Sequence, residues 1–191
     1  MNPFDHVGVL YSFIVSLGLA QVMTTFGALV KARRRVRFAG VFAIWLLIAL
    51  LAHVDMWLQL WTYRFVRDWT VLKVVVLLAW AAGLFLMTTL ISPTIDDDGE
   101  TVDLKEFHRE NGWVYMTAFL AAAAISAVAN GMVDPSGGFS DAVGLFVTIL
   151  IVMAPWPLLA IFNRRRWAQW LGAGGTLAAV LLSFATMDSI R

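Results

Sequence analysis

The stretch AIWLLIALLAHVDMWLQLWTYR, residues 43–64, decides the fold of this chain. It is long enough to cross a bilayer, because a transmembrane helix needs about 20 apolar residues. It also carries His53, Asp55 and Gln59 within an otherwise apolar and aromatic run. An ionisable side chain in hydrocarbon costs about 3 kcal/mol or more, so such a residue is by default a candidate for function. The stretch therefore predicts both a transmembrane helix and a candidate site.

The composition of the whole chain indicates a membrane protein. Of its 191 residues, 60% are hydrophobic and 14% are charged, whereas soluble domains have about 45–50% and about 25%. Nine tryptophans fit this class, because Trp concentrates at membrane interfaces. The net charge of +1 argues against binding to nucleic acid. The absence of cysteine excludes disulfides, thiolate metal sites and iron–sulfur clusters.

Six hydrophobic segments are long enough to be transmembrane helices. Irregular backbone cannot face lipid, so each segment should be helical. The predicted fold is all-α, a single domain over residues 1–191 that forms a bundle of six transmembrane helices. The predicted spans cover residues 7–30, 41–62, 71–91, 113–133, 142–162 and 168–187.

The basic connections predict the orientation of the bundle. KARRRVR, residues 31–37, follows the first span, and NRRR, residues 163–166, follows the fifth. Short loops rich in Lys and Arg stay on the cytoplasmic side. Six spans place the first, third and fifth loops on one side, so both termini are predicted to be external, N-out and C-out. The basic loops should also attract anionic lipids.

The third connection, residues 92–112, is the longest, and it is predicted to be an acidic cytoplasmic loop. Asp103 and Glu106 have the spacing of a helix capping box, which predicts a short helix through about Glu110. The loop is interpreted as a solvated connector, with a docking or cation-sensing element as the alternative.

Helical geometry separates the polar residues of the second span. Residues two apart point about 200° from each other around the axis, whereas neighbours on one face are three or four apart. His53 therefore shares a face with Trp57, and Asp55 shares a face with Gln59. This geometry excludes the interpretation of His53 and Asp55 as a pair of metal ligands on one helix face.

Depth in the membrane predicts which residues surround Asp55. Its carboxylate lies near the external end of the second span, where it needs a cationic partner or a proton. Three interpretations stay open: a structural ion pair with Lys73 or Arg64, a ligand, proton or cation site that opens outward, and a metal site. The predicted site residues are His6, His53, Asp55, Gln59, Arg64 and Lys73.

Other polar and helix-breaking residues lie within the remaining spans. Gln21 in the first span and Asn130 in the fourth are candidates either for hydrogen bonds between helices or for lining a polar cavity. Pro155 and Pro157 predict a kink or break in the fifth span. Small residues recur every fourth position in three spans and predict close helix packing. They are Ser12, Ser16, Ala20, Thr24 and Ala28; Ala118, Ala122, Ser126 and Asn130; and Gly175, Ala179 and Ser183.

The sequence supplies no pattern that is typical of an enzyme. No nucleophile elbow or oxyanion turn accompanies a Ser–His–Asp set. His53 alone lies clearly within a predicted span, so paired axial histidines for haem are lacking. No catalytic residue, cofactor or metal site is predicted, and the chain is expected not to be an enzyme.

Several stretches resemble a group of small bacterial inner-membrane proteins with six spans. The resemblance covers mainly the first 115 residues, and it implies a multi-pass protein of the bacterial cytoplasmic membrane without implying a chemistry. The matching stretches are FDHVGVLYSFIVSLGLAQV at 4–22, KARRRVR at 31–37, the Trp-rich second span, DWTVL at 68–72, and the loop at 92–113 that begins with Ser-Pro, continues with acidic residues and ends in DLKEFHRENGW.

Two functions follow as hypotheses. The first is transport of a small solute or ion, supported by the intramembrane polar residues and the proline-broken span. The second is a non-enzymatic membrane module: a sensor, an assembly partner or a lipid-binding protein. Either would sit in a lipid bilayer, and a homo-oligomer is expected.

Overall fold

The computed structural model describes residues 3–66, 68–95, 101–133 and 139–186. The chain is all-α and 85% helical. Acidic residues 96–100, the fourth loop at 134–138 and the end of the sixth predicted span at 187 lie outside the described residues. The helices are α1 (Pro3–Lys31), α2 (Gly40–Gln59), α3 (Val71–Ile91), α4 (Leu104–Val133), α5 (Phe139–Thr148), α6 (Pro155–Phe162) and α7 (Arg166–Thr186).

Five helices in the described part of the chain are long and apolar enough to cross a membrane. Each contains most or all of a predicted span, and α3 has the predicted bounds. The chain thus has the architecture of a multi-pass integral membrane protein. The five stretches are Phe4–Lys31, Gly40–Phe65, Val71–Ile91, Leu104–Val133 and Arg166–Ala185.

The fifth hydrophobic segment is an interrupted helix. A π-helical turn, Ile149–Met153, separates α5 from α6, and the Ala154 N–H donates to the Ile149 carbonyl over 2.9 Å. Pro155 and Pro157 lie in the first turn of α6, where a missing N–H removes no intrahelical hydrogen bond. The prolines therefore follow the π-helical turn, and Thr148 and Ala154 on either side of that turn keep right-handed helical dihedrals. The count of six transmembrane spans and the N-out/C-out orientation remain predictions.

The acidic connection is shorter than the predicted loop at residues 92–112. Helix α4 begins at Leu104 and continues to Val133, so the predicted short helix is its first part. The Asp103 carboxylate caps α4 by accepting from the N–H groups of Lys105 at 2.9 Å and Glu106 at 3.2 Å. The predicted start of this helix at Asp103 is confirmed, but its predicted end near Glu110 is wrong, because the polar residues at the start of α4 resemble a loop in hydropathy.

Two short strands join the first and third connections. Strand β1 (Val36–Arg37) pairs in parallel with β2 (Val102–Asp103). Phe38, Asp103 and Arg164 line one cavity, which brings the fifth connection to the same place. This end of the bundle is called the basic end. The opposite end holds the start of α1 and residues 60–66 and 68–70, joined by the rings of Phe4 and Trp69 with centroids 6.3 Å apart.

Small residues let several helices approach closely. On α3, a Cβ at Gly83 would lie 3.3 Å from the Ala122 Cβ of α4, so the predicted stripe of α4 packs as expected. The predicted stripe of α1 is different, because Ser16, Ala20 and Thr24 are exposed. Helix α1 instead packs through another face, which is formed by Tyr11, Val15, Gly18, Val22 and Leu29.

Candidate functional sites

The Asp55 carboxylate joins α2 to α7 through neutral donors. Gln59 Nε2 donates to Asp55 Oδ2 over 2.7 Å, as the one-turn spacing predicts. Ser183 Oγ also donates to Asp55 Oδ1 over 3.3 Å, across 128 residues of sequence, in a longer contact than its 2.7 Å bond to the Val180 carbonyl. Asp55 is partly buried. Gln59 therefore holds one carboxylate oxygen firmly, whereas the contact of Ser183 with the other oxygen is weak.

His53 lies on another face of α2 and is fully buried against α1. Its Nδ1 donates to the Ala49 carbonyl over 2.8 Å, because a carbonyl oxygen can only accept. Its Nε2 has no hydrogen-bond partner among the described residues. The imidazole lies directly against Gly18, where an added Cβ would be 2.5 Å from His53 Cδ2. The structure therefore keeps His53 apart from the Asp55 carboxylate.

The cations predicted to pair with Asp55 make other contacts. Lys73 Nζ donates to the Asp68 carbonyl oxygen over 3.0 Å, and no ion pair joins Lys73 to Asp55 among the described residues, so the structure does not show the ion pair that was one of the three interpretations. The pairing was inferred from depth in the membrane, which says nothing about the direction of a side chain. His6 is exposed in the first turn of α1.

Arg64 lies in the 3₁₀ turn Thr62–Phe65, which follows α2. Its guanidinium carbon is 5.4 Å from the ring centroid of Trp61 and 4.5 Å from that of Phe65. Cation–π contacts of this kind attract a guanidinium to aromatic faces at a membrane interface. The Arg64 guanidinium thus stacks on rings of its own segment.

Gln21 and Asn130 both make hydrogen bonds between helices. Gln21 Nε2 donates to Ser92 Oγ at the end of α3 over 3.2 Å, and the hydroxyls of Thr25 and Ser92 are 2.6 Å apart. Asn130 Oδ1 accepts from the Tyr63 hydroxyl over 2.8 Å. Each residue links a helix to a neighbouring helix or turn. Among the described residues, no three or more His, Asp or Glu side chains converge as a metal site would require.

A second site, which the sequence did not predict, lies at the basic end. It is a cavity of about 520 Å³ between the start of α2, the first turns of α4, the end of α6 and the start of α7. A volume of this size is typical of small-molecule sites, which span about 300–1,000 Å³. Its walls combine charged side chains with Trp113, Trp170 and Met116. We call it the basic-end cavity.

Positive charge is in excess around the basic-end cavity. The Arg109 guanidinium pairs with the Glu106 carboxylate on α4, and Arg37 pairs with Asp103 over 3.7 Å. Both carboxylates that line the cavity are therefore already engaged. Lys105, Arg164 and Arg166 also line it, and the structure shows no ion pair from these three to any described residue.

Asp103 remains an anion at the cavity rim over a wide range of pH. The Glu106 N–H of α4 donates to its carboxylate, and this hydrogen bond is the largest cause of a lowered pKa for Asp103. The Lys105 N–H and the charge of Arg37 lower the pKa further. The cap of α4 is consequently lost only as the pH falls through this lowered pKa.

A buried hydrogen-bond network forms one wall of the basic-end cavity. Gln169 Nε2 donates to the carbonyls of Ala160 at 2.6 Å and Asn163 at 2.9 Å, so its Oε1 is free to accept. His108 Nε2 is 2.9 Å from that oxygen and donates to it. His108 Nδ1 then accepts from the Tyr115 hydroxyl. Both ring nitrogens are occupied, so His108 holds α4 against α6 and α7.

The sequence spacing of His108 and Tyr115 could have indicated this network, but the prediction of a loop at residues 92–112 left it unrecognised. His108 and Tyr115 are seven residues apart, which is two helical turns and places them on one face. That relation is visible only if α4 begins before residue 108. Gln169, 61 residues further on, completes the network through a tertiary contact that no local pattern predicts.

Comparisons with known proteins give neither a family nor a function for this chain. No family model matches the sequence, and no curated protein or solved structure is significantly similar to the chain.

Proposed function

We propose that this integral membrane protein is a non-enzymatic module that binds an anionic amphiphile in the basic-end cavity. The excess positive charge of that cavity carries the proposal. Lys105, Arg164 and Arg166 line a partly open cavity that also has an apolar wall, and the carboxylates nearby are already paired. Guanidinium groups recognise anions through parallel charge-assisted hydrogen bonds.

The proposed orientation places the basic-end cavity at the cytoplasmic membrane surface. The basic residues of the first and fifth connections favour this side by the positive-inside rule. Anionic lipid headgroups make the same surface negative, and each nearby Lys or Arg then gains about 1 kcal/mol. This setting concentrates anionic amphiphiles at the mouth of the cavity.

Protection of an introduced thiol tests occupancy of the cavity. The chain has no cysteine, so Ile161→Cys places a single reporter in the cavity wall. Dodecyl phosphate at ten times its Kd should slow maleimide labelling about tenfold, because only unoccupied protein reacts. Arg33→Cys, an exposed position outside this cavity, is the control. Equal protection of both thiols, or protection of neither, would contradict the proposal.

Transport is a second candidate, favoured by the Asp55 cluster. Ser183, which donates to Asp55, lies on α7, and α7 packs against the interrupted α5–α6 segment through Gly172 and Gly175. Carboxylates in spans and interrupted helices both occur at the binding sites of transporters. In this proposal Asp55 binds the transported proton or cation, and movement of α7 opens the site.

Flux measurements with Asp55→Asn test the transport proposal. Proteoliposomes containing the wild-type protein should conduct H⁺, Na⁺ or K⁺ above the rate of empty liposomes. Asp55→Asn should reduce that flux by about tenfold or more, since a lost interaction with a charged group costs about 1.5–3 kcal/mol. Asp68→Asn makes the same charge change on an exposed residue and should conduct normally. Unchanged flux in Asp55→Asn would exclude this role.

A further inference from the structure

We infer that the amphiphile in the basic-end cavity is an anionic glycerophospholipid of the surrounding bilayer. Its phosphate would lie between Arg164 and Arg166, and its acyl chains would leave past Trp113 and Trp170. This inference rests on the proposed function and narrows it from anionic amphiphiles to one class of lipid.

The cationic side of the cavity fits a phosphate group. Arg164 lies in the turn between α6 and α7, Arg166 is the first residue of α7, and both line the cavity. Neither guanidinium forms a salt bridge or hydrogen bond with the residues that the structure describes. Two guanidiniums offer more N–H donors than one carboxylate accepts, whereas a phosphodiester presents two anionic oxygens and two ester oxygens to them.

The aromatic side of the cavity opens toward lipid. Trp113 and Trp170 line the cavity, yet they are 54% and 49% exposed, so they also form the outer surface of the bundle. Close by, Phe162 is 84% exposed and Leu171 is 50% exposed. Exposed apolar and aromatic residues at this level meet the headgroup and upper acyl region of a bilayer. A ligand that leaves the cavity here enters lipid rather than water.

The wall beside this opening is held in place by close packing. A Cβ on Gly40, the first residue of α2, would lie 2.6 Å from Trp170 Cη2, so the indole rests on the glycine backbone. Met116, Ala160 and Ile161 complete an apolar wall below the cations. A soluble phosphate compound would leave this apolar wall unused, whereas the glycerol end and first methylenes of a lipid would cover it.

Lipid titration of the purified full-length protein tests the inference. Delipidated protein in neutral detergent is titrated with phosphatidylglycerol, phosphatidylcholine, oleate or glycerol phosphate, and binding is followed by native mass spectrometry and thermal shift. Phosphatidylglycerol should bind most tightly. Arg164→Gln and Arg166→Gln should each weaken it about tenfold, which is the usual effect of losing one charged hydrogen-bond donor.

The control is a matched loss of charge outside the cavity. Arg33→Gln/Arg34→Gln removes two exposed positive charges from the first basic connection, and phosphatidylglycerol should bind this variant within about twofold of wild type. Arg164→Gln/Arg166→Gln removes the same charge from the cavity. Equal weakening of the two double variants would show diffuse attraction to the basic end and overturn the inference.

The ligand panel separates failure of the inference from failure of the proposed function. Oleate or glycerol phosphate binding as tightly as phosphatidylglycerol would refute the phospholipid and leave an anion-binding cavity in place. Absence of binding by every anion, with no protection of Ile161→Cys, would refute both. Trp113→Ala gives a further readout, because it should weaken phosphatidylglycerol several-fold and leave glycerol phosphate unchanged.

Discussion

Gly175→Ala is expected to destabilise the protein by about 1–3 kcal/mol, a typical cost of overpacking a close contact. A Cβ at Gly175 would lie 2.6 Å from Trp156 Cγ, with two further ring atoms closer still. The indole cannot turn aside freely, because its Nε1 donates to the Val152 carbonyl over 2.8 Å. The added methyl group must therefore separate α7 from α6.

Gly174→Ala, one residue earlier, is the matched control. Nothing lies within 4 Å of a Cβ at Gly174. Alanine is the better helix former by about 1 kcal/mol, so this variant should be as stable as wild type or more stable. Reversible unfolding in mixed micelles, followed by helicity, measures both variants. Equal stability of Gly174→Ala and Gly175→Ala would show that the α6–α7 contact is looser than described.

The contrast between Gly174 and Gly175 shows how far sequence spacing could predict helix packing. Four-residue spacing of small residues predicted close contacts in three spans, and Gly175 and Ala122 make such contacts. The same spacing on α1 produced exposed residues, including Ala20. Spacing defines a face of a helix, but the partner of that face depends on the tertiary arrangement.

Helix boundaries were predictable wherever hydropathy changed sharply. Helix α3 lies between a polar N-cap, Thr70, and Pro93, and its observed bounds equal the predicted span. Helix α4 joins the predicted short helix to the fourth span without a loop, because His108 and Gly112 are buried by tertiary contacts although their segment is polar. Average hydropathy cannot distinguish a polar helix end held by such contacts from a solvated loop.

In the candidate sites too, contacts within one helix were predictable from the sequence, whereas contacts between distant elements were not. The Asp55–Gln59 bond follows from helical spacing alone, whereas its third partner, Ser183, is 128 residues away. The prolines predicted an interruption in the fifth span, but the π-helical turn lies before Pro155 and is not specified by it. The basic-end cavity depends on four elements meeting, so its residues were recognised only as separate basic loops and interfacial tryptophans.

Gly18→Ala should destabilise the α1–α2 contact by about 1–3 kcal/mol, again by overpacking. The new Cβ would lie 2.5 Å from His53 Cδ2 and still closer to Nε2. His53 is fully buried, and its Nδ1 is held by the Ala49 carbonyl. The ring therefore has no low-energy position to which it can retreat.

Gly27→Ala on the same helix is the control, because nothing lies within 4 Å of a Cβ at that residue. Unfolding in mixed micelles should show no loss of stability for Gly27→Ala. In a His53→Ala background, Gly18→Ala should lose most of its cost, since the obstructing ring is gone. A cost that persists in that background would mean that the methyl group meets the backbone of α2 rather than the imidazole. Recovery would instead assign His53 to packing between α1 and α2.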